Sequence, residues 1–118
     1  EPCMHEFVAT VKDLKKSHKI KAYDVGKALL DKGFHSPTIY FPLIVEEALM
    51  FEPTETQTVE TLDDLAESIK HIIEELCAPG VNLTDYPKNL PVGRPNELIP
   101  AKHLTVHWGD FELLELTE

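Results

Sequence analysis

Gly33-Phe34-His35-Ser36-Pro37-Thr38-Ile39-Tyr40-Phe41-Pro42, followed ten residues later by Glu52-Pro53-Thr54-Glu55, decides how this chain is read. The first run joins a helix stop at Gly33 to a histidine, two prolines, three hydroxyl side chains and an apolar stretch suited to a short strand. Proline fixes its own φ and biases the residue before it toward extended backbone, so the run has few conformations open to it. A polar group held between rigid prolines, entering or leaving short strands, is how a small α/β domain presents side chains to a cleft.

On the N-terminal side, His5-Glu6-Phe7-Val8-Ala9-Thr10-Val11 alternates for part of its length and predicts a strand. Residues 23–32 predict a helix with Val25, Ala28, Leu29 and Leu30 as its apolar stripe and Gly33 as its stop. Gly26 inside it costs about 1 kcal/mol relative to alanine, which points either to close packing on a neighbour or to drift in the sequence. Between strand and helix lies the basic run Lys12-Asp13-Leu14-Lys15-Lys16-Ser17-His18-Lys19-Ile20-Lys21, read as a solvated connection.

On the C-terminal side, residues 38–41 and 48–51 are short and β-rich, separated by Pro42 and a Glu46-Glu47 turn, and either can pair with the first strand. Pro53 ends the second because it has no N–H for the ladder. Residues 58–77 carry Leu62, Leu65, Ile69, Ile72, Ile73 and Leu76 at helical spacing, with Thr58 as cap and Glu60, Asp63 and Asp64 near the positive end of the dipole. From Pro79 onward, five prolines interrupt every candidate element. Residues 3–78 are thus expected to form a small α/β domain and 79–118 a Pro-rich extended tail, with the alternating residues 103–108 as a terminal strand or an anchor for Trp108.

The chain has 118 residues and 42% hydrophobic side chains, enough for one core. Its charge of −10 is uneven: residues 1–42 hold seven Lys against five acidic residues, and residues 43–118 hold four Lys or Arg against sixteen. A surface so acidic repels phosphate backbones, which argues against nucleic-acid binding. No apolar run has the length of a membrane span, and Cys3 and Cys77 fit neither a zinc spacing nor a redox pair, so a cytoplasmic protein is expected. Of six histidines only His103 and His107 are four apart, in a segment that reads as extended, so no metal site is expected.

His35 is the strongest candidate for chemistry, because Gly33 and Pro37 confine its backbone. The competing reading is a structural histidine bonded to a neighbouring carbonyl. Glu52 and Glu55 read as strand-end and turn carboxylates. No Gly-rich phosphate loop or nucleophile elbow is present. No lysine has a setting suited to an internal Schiff base, so the chain is not expected to be a complete pyridoxal-phosphate enzyme.

These words, in order, resemble the C-terminal part of the P-protein of the glycine cleavage system, glycine dehydrogenase (decarboxylating), as it occurs in bacterial subunit 2. The likeness runs over roughly residues 3–108. It is carried by Cys3-Met4-His5-Glu6-Phe7-Val8, by Asp24-Val25-Gly26-Lys27-Ala28-Leu29-Leu30-Asp31, by residues 33–43, by residues 47–56 and by Leu90-Pro91-Val92-Gly93-Arg94. Gly26 stands where similar chains usually have alanine and Glu46 where proline is frequent; Pro95 and Pro100 replace residues that would let the tail form a short helix.

The resemblance implies the small C-terminal domain of a fold-type-I pyridoxal-phosphate enzyme, a short antiparallel sheet with helices packed on one face. The implied parent decarboxylates glycine and passes the aminomethyl group to lipoyl H-protein; the cofactor lysine lies in a large domain outside this chain. His35 is the implied active-site group, with Ser36 and Thr38 nearest the cleft, and no cofactor is expected on this chain alone. Implied partners are the large domain, subunit 1 and H-protein, with self-association of the isolated domain. The rival expectation is a free-standing small α/β domain with a partner-binding or regulatory role.

Overall fold

A computed structural model describes residues 3–102. Its elements run β1 (Phe7–Thr10), α1 (Lys12–His18), α2 (Ala22–Asp31), β2 (Thr38–Ile39), β3 (Ala48–Phe51), α3 (Val59–Cys77), a 3-10 turn (Leu83–Asp85) and α4 (Leu98–Lys102). The three strands form an antiparallel sheet in the order β1-β3-β2. β3 is therefore the central strand and pairs with both others, whereas the sequence left β1 as the shared partner. Ala48–Phe51 is the more apolar strand, and the central position is the one buried from both edges.

Register sets the two faces of the sheet. Phe7 lies opposite Phe51, and Ala9 and Ile39 lie on either side of Leu49, so these five share one face. On that face Leu49 and Phe51, with Ala9 and Ile39 packed against them, meet Val25, Ala28 and Leu29 of α2 and Ile72 and Leu76 of α3 in a single core, while Phe7 stays exposed at its edge. The Phe7 and Phe51 rings stack with centroids 5.1 Å apart. The domain is thus the small α+β unit expected, with its helices on one side of a short antiparallel sheet.

α2 is closed at both ends by its own surroundings. The Asp24 carboxylate accepts from Lys21 N–H and the Glu47 carboxylate from Ala22 N–H, each at 2.8 Å. At the far end Gly33 takes φ 82, and Gly33 and Phe34 N–H groups bond to Leu30 and Leu29 carbonyls. This doubly bonded stop is the reason a glycine stands there. α3 begins as the sequence predicts, with the Thr58 hydroxyl accepting from Thr61 N–H at 3.1 Å.

Three local expectations are corrected. The basic run is not a loop: residues 12–18 form α1, started by the Thr10 hydroxyl, which accepts from Lys12 N–H at 3.2 Å, and ended by Lys19 at φ 62. Two turns offer too few positions for helical periodicity, and only Leu14 and Lys15 are half-buried. β2 stops at Ile39 because Tyr40 turns out of the strand at φ 60, although Tyr40 N–H still reaches Ala48 O at 2.9 Å. In the tail, Leu98–Lys102 is helical despite Pro100, which sits in the first turn, where an N–H would have no intrahelical partner.

Residues 79–97 lie back on the domain. Tyr86 enters the core, with Val81 and Leu83 packed against it. Its hydroxyl donates to Glu75 at 2.6 Å, while Asp31 accepts from the N–H groups of Lys88 and Asn89 at 2.6 and 2.9 Å. Residues 103–108, expected as a strand or anchor, lie outside the described residues.

Candidate functional site

The two proline-containing stretches, residues 33–42 and 52–55, meet in space. The loop from Gly33 to Thr38 forms one wall of a cleft of about 520 Å³, and the turn after β3, with Glu52, Pro53, Thr54 and Gln57, forms the other. Phe34, Met50, Phe51, Leu62 and Leu65 give it an apolar floor. β3 carries the second wall directly from the sheet, and the first turns of α3 close one end with Thr61.

His35, Ser36 and Thr38 all line this cleft. The His35 ring is exposed and makes no side-chain hydrogen bond among the described residues. Ser36 is half-buried; its hydroxyl donates to Pro37 O at 3.2 Å and lies against α2 at Gly26. Thr38 opens β2 opposite Met50, on the sheet face away from the helices. Glu52 lines the cleft, whereas the structure gives Glu55 no place on it.

Gln57 and Thr61 were not singled out in the sequence. Their place follows from the Thr58 cap, which sets the angle at which α3 starts, and from the turn closed by Gln57 N–H on Thr54 O at 3.0 Å. The first turn of α3 adds the positive end of a helix dipole to that end of the cleft. Among the described residues, no group of three or more His, Cys, Asp or Glu side chains could hold a metal ion. None of their helices is long and apolar enough to cross a membrane.

A second cleft, of about 610 Å³, lies between Lys19, Lys21, Tyr23, Tyr40 and the tail at Arg94 and Asn96. Arg94 is its fixed point. Its guanidinium donates to Tyr86 O at 2.7 Å and to Asp24 at 2.8 Å, and stands 5.0 Å from the centre of the Tyr23 ring. Sequence reading placed Arg94 only within a matching tail segment; nothing local marks it as the partner of Asp24. Nearby, the buried Glu47 carboxylate meets the Lys15 ammonium at 2.8 Å. Burial opposes its ionisation, but Lys15 and the Ala22 N–H outweigh burial and hold the carboxyl below the usual carboxylate range.

Comparison with known proteins shows which family the chain is similar to. The family described as "Glycine dehydrogenase, C-terminal domain" matches residues 1–90. A probable glycine dehydrogenase (decarboxylating) subunit 2 of Rhodopirellula baltica is 46% identical over 109 residues, covering 92% of this chain and 21% of the relative. The protein of the same description from Caldanaerobacter subterraneus subsp. tengcongensis is 50% identical over 106 residues, covering 90% and 22%. That from Thermotoga maritima is 44% identical over 106 residues, covering 90% and 22%. The chain thus spans about a fifth of the length of the relatives it matches.

Proposed function

Because the chain belongs to the family of glycine dehydrogenase C-terminal domains, we propose that it is the small domain of a glycine-decarboxylating enzyme of the kind those relatives are named for. The proposed whole enzyme decarboxylates glycine with pyridoxal phosphate in the cytoplasm and transfers the aminomethyl group to lipoyl H-protein. The observation that carries this reading is the meeting of His35, Ser36 and Thr38 with Glu52 and Thr54 in one cleft. A core alone does not call for polar groups gathered from two rigid loops around an apolar floor.

A pyridoxal-phosphate site requires a lysine for the Schiff base, an acid for the pyridine nitrogen and a seat for the phosphate. The cleft offers one imidazole, one carboxylate, hydroxyls and an amide, and no lysine lines it among the described residues. These residues do not fit the cofactor as its holders. In the proposed arrangement the large domain holds it and this chain supplies a wall. His35 then serves as donor, acceptor or acid-base group beside the reacting molecule, and Thr38 and Ser36 flank it. Phe34, Leu62 and Leu65 supply the apolar part of that wall.

The loop after β2 supports the same reading. Leu43 is 88% and Ile44 94% exposed, next to a half-exposed Phe41. Adjacent apolar side chains this exposed suit a contact surface, and the unmatched four-fifths of the relatives' length supplies the proposed cover. Subunit 1 is the further proposed partner. From residue 79 onward the Pro-rich segment acts, in this proposal, as a strap that fixes α2.

The test compares the isolated chain with the full-length polypeptide, each given subunit 1, pyridoxal phosphate and lipoyl H-protein. Glycine-dependent CO2 exchange is expected from the full-length protein alone. Stable cofactor absorbance or exchange from the isolated chain would overturn the assignment, as would a full-length protein without exchange.

A further inference from the structure

Gly26 lies in the interior of α2 and is buried. A Cβ at this position would stand 2.6 Å from Ser36 Oγ, 3.5 Å from Ile39 Cγ2 and 3.8 Å from Ser36 Cβ. The last two are ordinary van der Waals distances, so the Ser36 hydroxyl is the atom that excludes a side chain. Backbone conformation does not demand the glycine, since the positive-φ glycines among the described residues are Gly33 and Gly80. In a helix interior glycine costs about 1 kcal/mol relative to alanine. Here the Ser36 hydroxyl occupies the space that a methyl group would take.

The space belongs to the cleft loop. Ser36 precedes Pro37, which restricts its backbone, and Gly33 at φ 82 fixes where the loop leaves α2. Thr38 is already paired opposite Met50. A loop held at both ends answers a push on Ser36 either by rotating the Ser36 hydroxyl toward the cleft or, where the hydroxyl keeps its rotamer, by moving His35 or Thr38, its neighbours at the cleft wall.

We infer that Gly26 is a positioning residue for the cleft: its missing side chain is the notch that seats the Ser36 hydroxyl and holds the His35–Thr38 segment against α2. This inference rests on the proposed reading of the cleft as the wall this domain turns to the reaction. A methyl group at position 26 forces the 2.6 Å approach open beyond 3.0 Å, or it rotates the hydroxyl out toward the cleft. Either change alters what His35 and its neighbours present; the shift is a few tenths of an ångström, smaller than the roughly 1 Å misplacement that costs on the order of 10²-fold in rate.

The experiment measures glycine-CO2 exchange and thermal melting on the full-length enzyme carrying G26A, S36A or both. With Ser36 present, G26A is expected to lower kcat about 10-fold, more than it changes KM, with the melting temperature held. In the S36A background, adding G26A is expected to change kcat by less than about twofold, because only ordinary contacts remain. Whatever S36A costs by itself drops out of this comparison. An equal loss in both backgrounds overturns the inference, as does a G26A enzyme of full activity. A wild-type enzyme without exchange activity overturns the functional reading and this inference together, whereas an active wild type isolates the failure to the Gly26 contact.

Discussion

Asp24 and Arg94 are 70 positions apart in the sequence, and their side chains meet at 2.8 Å. Asp24 is 7% exposed at its side chain and Arg94 20%, so the pair is largely withdrawn from water. The same carboxylate caps Lys21 N–H, and the same guanidinium holds two tail carbonyls. One ion pair thus joins the start of α2 to the segment after Tyr86.

Removing Arg94 leaves a buried carboxylate without its counter-charge and frees two carbonyls. R94A is expected to lower stability by about 2–3 kcal/mol. Denaturant unfolding measures the loss, and amide exchange should quicken across residues 82–97 before it does in α3. Equal exchange in both segments would separate the tail from this anchor.

Acid should unfasten the domain in a defined window. The folded carboxyls of Glu47 and Glu75 are both depressed. For Glu47, Lys15 and the Ala22 N–H overcome burial; for Glu75, the Tyr86 hydroxyl is the leading cause. A depressed carboxyl stabilises the fold above its unfolded value, about 4.3. That stability disappears as pH falls through the folded value. Melting temperature is therefore expected to drop below about pH 4, and more shallowly in E47Q, whose amide oxygen still accepts from Ala22. An unchanged acid limb in E47Q would remove Glu47 from the account.

Thr58 supports both α3 and the end of the cleft that α3 closes. T58A is expected to cost about 1 kcal/mol in denaturant unfolding, and T58S to retain most of it. A T58S variant as weak as T58A would mean that the methyl group, rather than the capping oxygen, carries the effect.

Leu43 and Ile44 give the isolated chain an apolar surface next to Phe41. The isolated chain is expected to self-associate in sedimentation despite its charge, and L43S/I44S to shift it toward monomer. Sedimentation as a monomer at high concentration by the unaltered chain would argue against this surface as a contact.

The sequence was most legible where one physical signal acted over many residues. α3 carried six apolar positions at helical spacing and a threonine cap, and it formed from Val59 to Cys77. α2 carried an apolar stripe with a glycine stop. α1 is not legible because its charges conceal a helix whose first N–H, on Lys12, donates to the Thr10 hydroxyl. β2 was overextended because nothing in Ile39-Tyr40-Phe41 announces a tyrosine at φ 60. The two cleft walls were visible as Pro-rich words, but their meeting depends on β3 pairing centrally, which is a long-range fact. Gln57, Thr61 and the Asp24–Arg94 pair escaped for the same reason.

The most direct measurement is glycine-CO2 exchange by the full-length enzyme carrying H35A, with equal cofactor loading and H71A as control. His71 lies exposed on α3, away from the cleft. H35A is expected to lower turnover by about 10²–10⁴-fold with an unchanged melting temperature, while H71A stays close to wild type. Near-normal exchange in H35A, accompanied by a loss of several degrees in melting temperature, would make His35 structural and contradict the assignment of this cleft to the reaction.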